Sequence, residues 1–318
     1  MKLTIISEFT ENKRIQGFYH CLEKHLRTTR IGDYYLDLLL QDASGRIHAK
    51  VWDNVEHFDN QFDEGDPVAV KALVERYNGL LQLNCTKITR ATDERYGRYG
   101  FKESGLVPTI TADRKVLWEE LRRLVTAVKS KPLKALLRHI FKRYKAVILE
   151  LPASFSYHHT ERGGFLVHLV STGQIAAFLA AHYEGIDGNL LIAGTLLHDI
   201  GKVKSVELGL KSDYTTEGQL VGHVILGRDV LKEALEEVDV PAAVVEKLEH
   251  IILAHQGFAS KETPRHPRFP EALLVHYIDS MDGKLDLMHR ESATDTGGGR
   301  FTSDRNYFRL RLYKSEQK

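Results

Sequence analysis

Apolar and polar residues alternate with a period of two along the first third of the chain, and recur at helical spacing from about Thr111 onward. In Tyr34 to Gln41 (YYLDLLLQ), Leu36, Leu38 and Leu40 fall on one face and Tyr35, Asp37 and Leu39 on the other. Asp42-Ala43-Ser44-Gly45 reads as a turn. Arg46 to Trp52 alternates again, with Ile47, Ala49 and Val51 inward and Arg46, His48, Lys50 and Trp52 outward. A short helix fits Asn54 to Phe62. Two more strands, Pro67 to Glu75 and Leu80 to Thr89, flank the hairpin pair Asn78-Gly79. With a first strand from about Gly17, the pattern predicts an OB-type barrel of five strands over residues 1–91, with its helix between the third and fourth strands.

Residues 92–110, including ERYGRYGFKESG, carry glycine and charge without periodicity and read as a basic, aromatic linker. Residues 111–292 are helical in pattern. Asp113 is placed to cap one helix, and Pro132, Pro241 and Pro270 stand where helices open. Residues 293–318 form a tail in which aromatic and basic residues mix. The fold class is therefore multidomain α and β: an N-terminal five-stranded β-barrel followed by an all-α domain.

One stretch of the helical half stands out, Leu190 to Lys202, LLIAGTLLHDIGK. An apolar helix ends by presenting His198 beside Asp199, and Gly201 suits a left-handed helix cap. An imidazole and a carboxylate in apolar surroundings are costly unless compensated, and a divalent cation compensates both. His168, His223, His255 and Asp279 each sit in another apolar, helix-like segment. The order H…HD…H…H…D resembles the HD-domain superfamily of metal-dependent phosphohydrolases. In that arrangement His168, His198, Asp199 and Asp279 would hold one metal, and His223 and His255, with Asp199 bridging, a second. Two such ions clamp the attacking and leaving oxygens of an in-line phosphoryl displacement. Lys202 is placed to stabilise transition-state charge. His158, His159 and Arg162, in the loop before the first ligand helix, are candidates for holding substrate phosphate. Asp282 and Asp286 share a helix face with Asp279 and read as structural partners or reserve ligands.

Composition narrows the classes. The chain has 318 residues, enough for two domains, and its net charge of +1 leaves nucleic-acid binding to local patches. On the barrel such a patch is predicted on the outward face of strands two and three. Tyr35 and Trp52 offer stacking surfaces there and His48 and Lys50 positive charge, with Arg27 and Arg30 at the end of strand one. Two cysteines, Cys21 and Cys85, make no disulfide framework and fit a reduced, cytoplasmic setting. The N-terminus shows no signal peptide, and no membrane span or membrane partner is expected.

Barrel, linker and HD domain in this order resemble the YhaM-type 3′→5′ exoribonucleases over nearly the whole chain. The resemblance is carried by YYLDLLLQDASGRIHAKVWD, HHTERGGFLVHLV, LLIAGTLLHDIGK, TTEGQLVGHVILG, LEHIILAHQG and EALLVHYIDSMDGKLD. It implies a divalent metal of the manganese type, one or two per chain, and single-stranded RNA or DNA as partner. It also implies release of nucleoside 5′-monophosphates from the 3′ end. Carried over, the metal residues are His168, His198, Asp199, His223, His255 and Asp279. Two positions depart from the family pattern, Gln256 in place of a histidine and Val167 in place of a glutamate. A phosphohydrolase of small nucleotides, a non-catalytic nucleic-acid-binding protein with a structural HD site, and homo-oligomerisation stay open on sequence alone.

Overall fold

A single long strand, β1 (Arg14–Thr28), organises the N-terminal unit. Its first half pairs with β4 (Pro67–Tyr77) and its second half with β2 (Tyr34–Asp42), both antiparallel, and a bulge between Cys21 and Glu23 bends it from one partner toward the other. β2 pairs with β3 (Gly45–Val51), and β5 (Leu80–Arg90) pairs antiparallel with β4 and parallel with β3. The sheet closes in the order β1-β2-β3-β5-β4, with α1 (Val55–Asp59) between β3 and β4 in the chain. This is the predicted OB-type barrel. The alternation read from sequence holds in detail: Leu36, Leu38, Leu40, Ile47, Ala49 and Val51 are buried in its core. Asn78 and Gly79 both take positive φ, as the two-residue hairpin between β4 and β5 requires. Cys21 and Cys85 are buried free thiols, and burial pushes each up to about 12.

The computed structural model describes residues 3–210, 212–258, 264–295 and 299–314. The chain divides into two units: Met1–Thr109 with Leu208–Ser212, and Ile110–Glu207 with Asp213–Lys318. Within residues 92–110, expected as a linker, the chain forms the helical turn α2 (Asp93–Tyr96), capped by the Thr92 hydroxyl, and two 3₁₀ turns. Phe101 and Leu106 of this segment are buried with Ala91. Two widely spaced apolar anchors suffice to hold it, and they leave no periodicity to read.

In the second unit the described helices are α3 (Arg114–Ala127), α4 (Lys131–Ile148), α5 (Gly164–His182), α6 (Gly188–Leu197), α7 (Lys202–Ser205), α8 (Thr216–Val221), α9 (His223–Leu235), α10 (Ala242–Ala254) and α11 (Pro270–Thr294). Besides an isolated antiparallel bridge between Phe301 and Tyr313, strand pairing among the described residues here is limited to a two-residue ribbon of β6 (Val206–Glu207) and β7 (Asp213–Tyr214). Asp113 caps α3 as expected. Helix α6 is apolar on all sides from Leu190 to Leu197 and is buried on all sides. It is wrapped by α4, α5, α10 and α11. Helix α5 is long and apolar enough to cross a membrane by composition, yet it packs on α3, α6 and α11 as a core helix. The tail folds back on itself: Thr302 N donates to the Leu312 carbonyl at 2.8 Å, and Lys314 pairs with Asp295 at 2.7 Å.

Gly201 was expected in a left-handed cap, but its φ is −62°. Its need for glycine is steric. A Cβ there would lie 1.9 Å from the His223 carbonyl oxygen and 2.3 Å from the Gly227 nitrogen, so the turn after α6 touches the backbone of α9 directly. Both obstacles are main chain and cannot swing aside. Gly201→Ala is expected to destabilise the helical unit by about 3 kcal/mol, the upper part of the overpacking range. Gly105→Ala, with nothing within 4 Å, is expected to be near neutral. Denaturant unfolding of the two variants makes the comparison.

Candidate metal centre

Helix α6 runs directly into the turn that carries His198 and Asp199, both buried. Buried polar groups there need partners from the surrounding helices. His198 Nδ1 donates to the Thr195 carbonyl at 2.6 Å. His255 ends α10 in the same way, its Nδ1 donating to the Ile252 carbonyl at 2.8 Å. A carbonyl only accepts, so each ring carries a proton on Nδ1 and turns Nε2 inward. His168, in the first turns of α5, gives Nδ1 to Asp282 at 2.8 Å and turns Nε2 the same way.

These atoms converge in two groups. His168, His198, Asp199 and Asp279 place their ligand atoms within 4.8 Å of one another, as do Asp199, His223 and His255. In the first, His168 Nε2 lies 3.3 Å from His198 Nε2 and 3.4 Å from Asp279 Oδ1, and His198 Nε2 lies 3.5 Å from Asp199 Oδ2. In the second, Asp199 Oδ1 lies 3.3 Å from His223 Nε2 and 3.4 Å from His255 Nε2. Asp199 thus gives one oxygen to each group. All six residues singled out in the sequence are brought together.

The donor set fits a divalent cation. Two bare imidazole nitrogens at 3.3 Å repel unless something positive lies between them. Burial lowers the His168 pKa, but hydrogen bonds to Asp279 and Asp282 reverse this and raise it to about 9. Burial likewise raises the Asp199 carboxyl, yet Lys202 and His198 hold it well below the usual carboxylate range. Asp279 is held low in the same way, against its burial, by His168 and His198. Imidazole nitrogens with carboxylate oxygens suit zinc, manganese or iron rather than a soft-metal site.

A second layer of contacts holds these ligands. Asp282, one turn along α11 from Asp279, accepts from His168 Nδ1, from His159 Nε2 at 2.9 Å and from the Ser171 hydroxyl. Such a carboxylate fixes the tautomer and orientation of a ligand histidine. Asp286, a further turn on, accepts the His159 backbone N–H at 2.8 Å. Asp282 and Asp286 thus support the histidines around the centre, and Asp282 also lies with His159 and His168 in a third group of potential ligand atoms. Ser171 went unnoticed in the sequence, although its place three residues after His168 on α5 was a usable signal. The glycine that opens α5 has a steric cause as well: a Cβ on Gly164 would lie 2.0 Å from the His159 carbonyl oxygen.

Of the loop residues expected to meet phosphate, the structure separates three fates. His158 lines the cavity above the metal centre, with burial and then Lys202 lowering its pKa to about 3. His159 is instead occupied by Asp282 and Asp286. Arg162 lies outside that cavity, 3.9 Å from Glu150. Lys202 donates to Asp199 Oδ2, so its charge is partnered by the carboxylate shared between the groups. The cavity has a volume of about 660 Å³. Its walls include two aromatic pairs that sequence reading missed, Phe155 with Tyr214 at 4.7 Å and Tyr157 with Tyr307 at 5.1 Å. Tyr307 comes from the folded-back tail.

On the barrel, Tyr35 and Trp52 stack with centroids 4.7 Å apart, and Lys50 lies 5.1 Å from the Tyr35 ring. His48 is exposed two residues before Lys50 on β3. The predicted aromatic face is present. Its cations, however, are shared with a carboxylate: Lys50 and Arg27 both pair with Asp37, at 2.6 and 2.9 Å.

Comparison with known proteins is consistent with both units. A family profile described as the HD domain matches residues 165–284, and one described as an OB-fold nucleic acid binding domain matches residues 23–91. The chain is 34% identical over 260 residues to a protein named 3′-5′ exoribonuclease YhaM from Bacillus velezensis, and 32% identical over 260 residues to that of Bacillus subtilis. Each alignment covers 81% of this chain and 81% of the relative. Among solved structures, the second OB-fold domain of replication protein A from Methanococcus maripaludis is 19% identical, with a TM-score of 0.24, covering 28% of this chain and 94% of that one.

Two outcomes follow for metal binding. A folded-state pKa of about 9 means that His168 is protonated at pH 7 when no metal is bound, so loading the site releases that proton. Apparent affinity should therefore rise with pH, by up to about tenfold per unit, and level off above pH 9. Calorimetric titration in buffers of different ionisation enthalpy reads the proton directly. Asp282→Asn keeps the size of the side chain but removes the charge behind His168, and is expected to weaken metal binding roughly 10–100-fold.

Proposed function

The chain belongs to the YhaM family of 3′-5′ exoribonucleases, and from that membership and its paired ligand groups we propose that it hydrolyses single-stranded RNA from the 3′ end, releasing nucleoside 5′-monophosphates. The observation that carries this reading is the division of Asp199, one carboxylate oxygen toward His198, the other toward His223 and His255. That arrangement suits two ions side by side, with His168, His198, Asp199 and Asp279 holding one and Asp199, His223 and His255 the other. Divalent ions bound there, manganese in our reading, supply charge for the scissile phosphate and a lowered pKa for the attacking water.

The chain's own residues do the rest. Lys202 neutralises Asp199 and sets an ammonium at the edge of the cavity, where negative charge grows on the phosphate. His158 stays neutral in its buried place and offers a ring nitrogen to substrate rather than a charge. The Tyr157–Tyr307 and Phe155–Tyr214 pairs give the terminal bases flat surfaces to stack on. In the barrel, the Tyr35–Trp52 face takes further nucleotides of the same strand. We place the protein in the cytoplasm, where its two thiols stay reduced.

Labelled RNA and DNA strands incubated with Mn²⁺, with products resolved by length, test the reading. Expected is a ladder shrinking from the 3′ end, and little cutting of a 3′-blocked strand. Equal cutting of a blocked or circular strand would point to an endonuclease, and turnover of mononucleotides alone to a small-nucleotide phosphohydrolase. Asp199→Ala should lower kcat/KM by roughly three orders of magnitude with the far-ultraviolet circular dichroism unchanged, because both ions lose a ligand at once. Tyr35→Ala combined with Trp52→Ala should raise KM for a long oligonucleotide roughly ten- to several-hundredfold through lost stacking.

A further inference from the structure

The barrel has a second concavity, on the side where β1, β4 and β5 lie together, away from the Tyr35–Trp52 face. The strand register builds it. Gln16, Lys71 and Lys87 make one row across the three strands, and Phe18, Ala69 and Thr89 the next. The methyl of Ala69 between two larger neighbours leaves that row sunken. Arg95, Tyr96 and Tyr99, from α2 and the turn after it, complete the wall, and Phe18 meets Tyr96 edge-on at 5.6 Å. The resulting cleft is about 680 Å³, and no carboxylate lines it among the described residues.

Its electrostatics are unusual for a closed barrel. Lys71 and Lys87 are directly opposite on neighbouring antiparallel strands, a position where like charges destabilise the pairing. Neither ammonium has a carboxylate partner among the described residues, and the Arg95 guanidinium lies only against the Tyr96 ring, at 5.5 Å. On the Tyr35–Trp52 face, by contrast, both nearby cations are neutralised by Asp37. Facing, unpaired cations above an aromatic floor complement a chain of phosphates with bases between them.

We infer that this cleft is a second binding site for single-stranded RNA, distinct from the Tyr35–Trp52 face. Lys71, Lys87 and Arg95 take the phosphates, while Phe18, Tyr96 and Tyr99 take the bases. Three residues of the basic, aromatic segment ERYGRYG, namely Arg95, Tyr96 and Tyr99, line the site. The class of strand rests on the reading of the chain as a ribonuclease.

The test uses the full chain with metal chelated, so that nothing is hydrolysed, and a fluorescently labelled oligouridine read by anisotropy across a salt series. Lys71→Gln with Lys87→Gln removes two phosphate contacts. Each contributes about 0.7 to the slope of log affinity against log salt for a single strand. Expected is a slope shallower by about 1.4 and binding about 25-fold weaker at 0.1 M salt. Thermal unfolding of the double variant without RNA should be unchanged or slightly higher, because the facing ammoniums no longer repel. Unchanged affinity and slope in that folded variant would overturn the cleft alone, leaving the Tyr35–Trp52 face as the site. Uridine monophosphate binding as tightly as the oligomer would overturn it in favour of a mononucleotide pocket. Absence of RNA binding by the unmodified chain would overturn both the cleft and the functional reading.

Discussion

The helical unit is organised by one buried carboxylate that must satisfy two sets of partners. Asp199 cannot turn toward one group without abandoning the other, because its two oxygens are already divided. The constraint propagates outward. It requires α6 to end where it does, α9 to begin with His223 against Gly201, and α10 to stop at His255. It also requires that the rings on either side present Nε2, which the Thr195 and Ile252 carbonyls secure from the ends of their own helices. The apolar sheath of α5, α10 and α11 around α6 makes the division strict, since on that side a misplaced group would meet only apolar side chains.

The barrel poses a different problem, since its polar groups stand on an outer surface and are not gathered around a buried centre. Here the informative contrast is between charge that is internally paired and charge that is not. Asp37 quenches Lys50 and Arg27 and leaves the Tyr35–Trp52 face to act through its ring surfaces. Elsewhere on the barrel Lys71 and Lys87 face each other across β4 and β5 without such a carboxylate among the described residues, an arrangement that disfavours the pairing. A surface that tolerates such a cost with no carboxylate partner among the described residues is suited to a partner from outside.

The ligand set was legible in the sequence because each ligand interrupts an apolar helical run, and such an interruption is conspicuous. The barrel was legible for the corresponding reason, a clean alternation with turn residues such as Asn78-Gly79 between strands. What escaped depends on register or on distance along the chain. The stack of rows that makes the cleft cannot be seen until Lys71 is known to face Lys87. Tyr307 reaches the cavity only because the tail closes through Thr302, Leu312 and the Asp295–Lys314 pair. Gly201 shows a subtler limit: glycine was noticed and its position rightly valued, but the reason was contact with another helix's backbone and not its own dihedral angles.

Helix α11 sets three carboxylates along one face, Asp279 at the ligand group, Asp282 behind His168 and Asp286 behind His159. Their spacing works only as long as the helix keeps its count. Inserting or deleting one residue between Asp279 and Asp286 turns everything beyond it by about 100°. That change would swing the supporting carboxylates away from the two histidines even if every other residue were kept. Descent with variation can therefore exchange side chains on the outward side of this helix freely, but it cannot alter the helix's length in that interval. The reading frame of the site is in this sense written in turns of α11, and a relative with a gap there would have to rebuild its support for His168 from elsewhere.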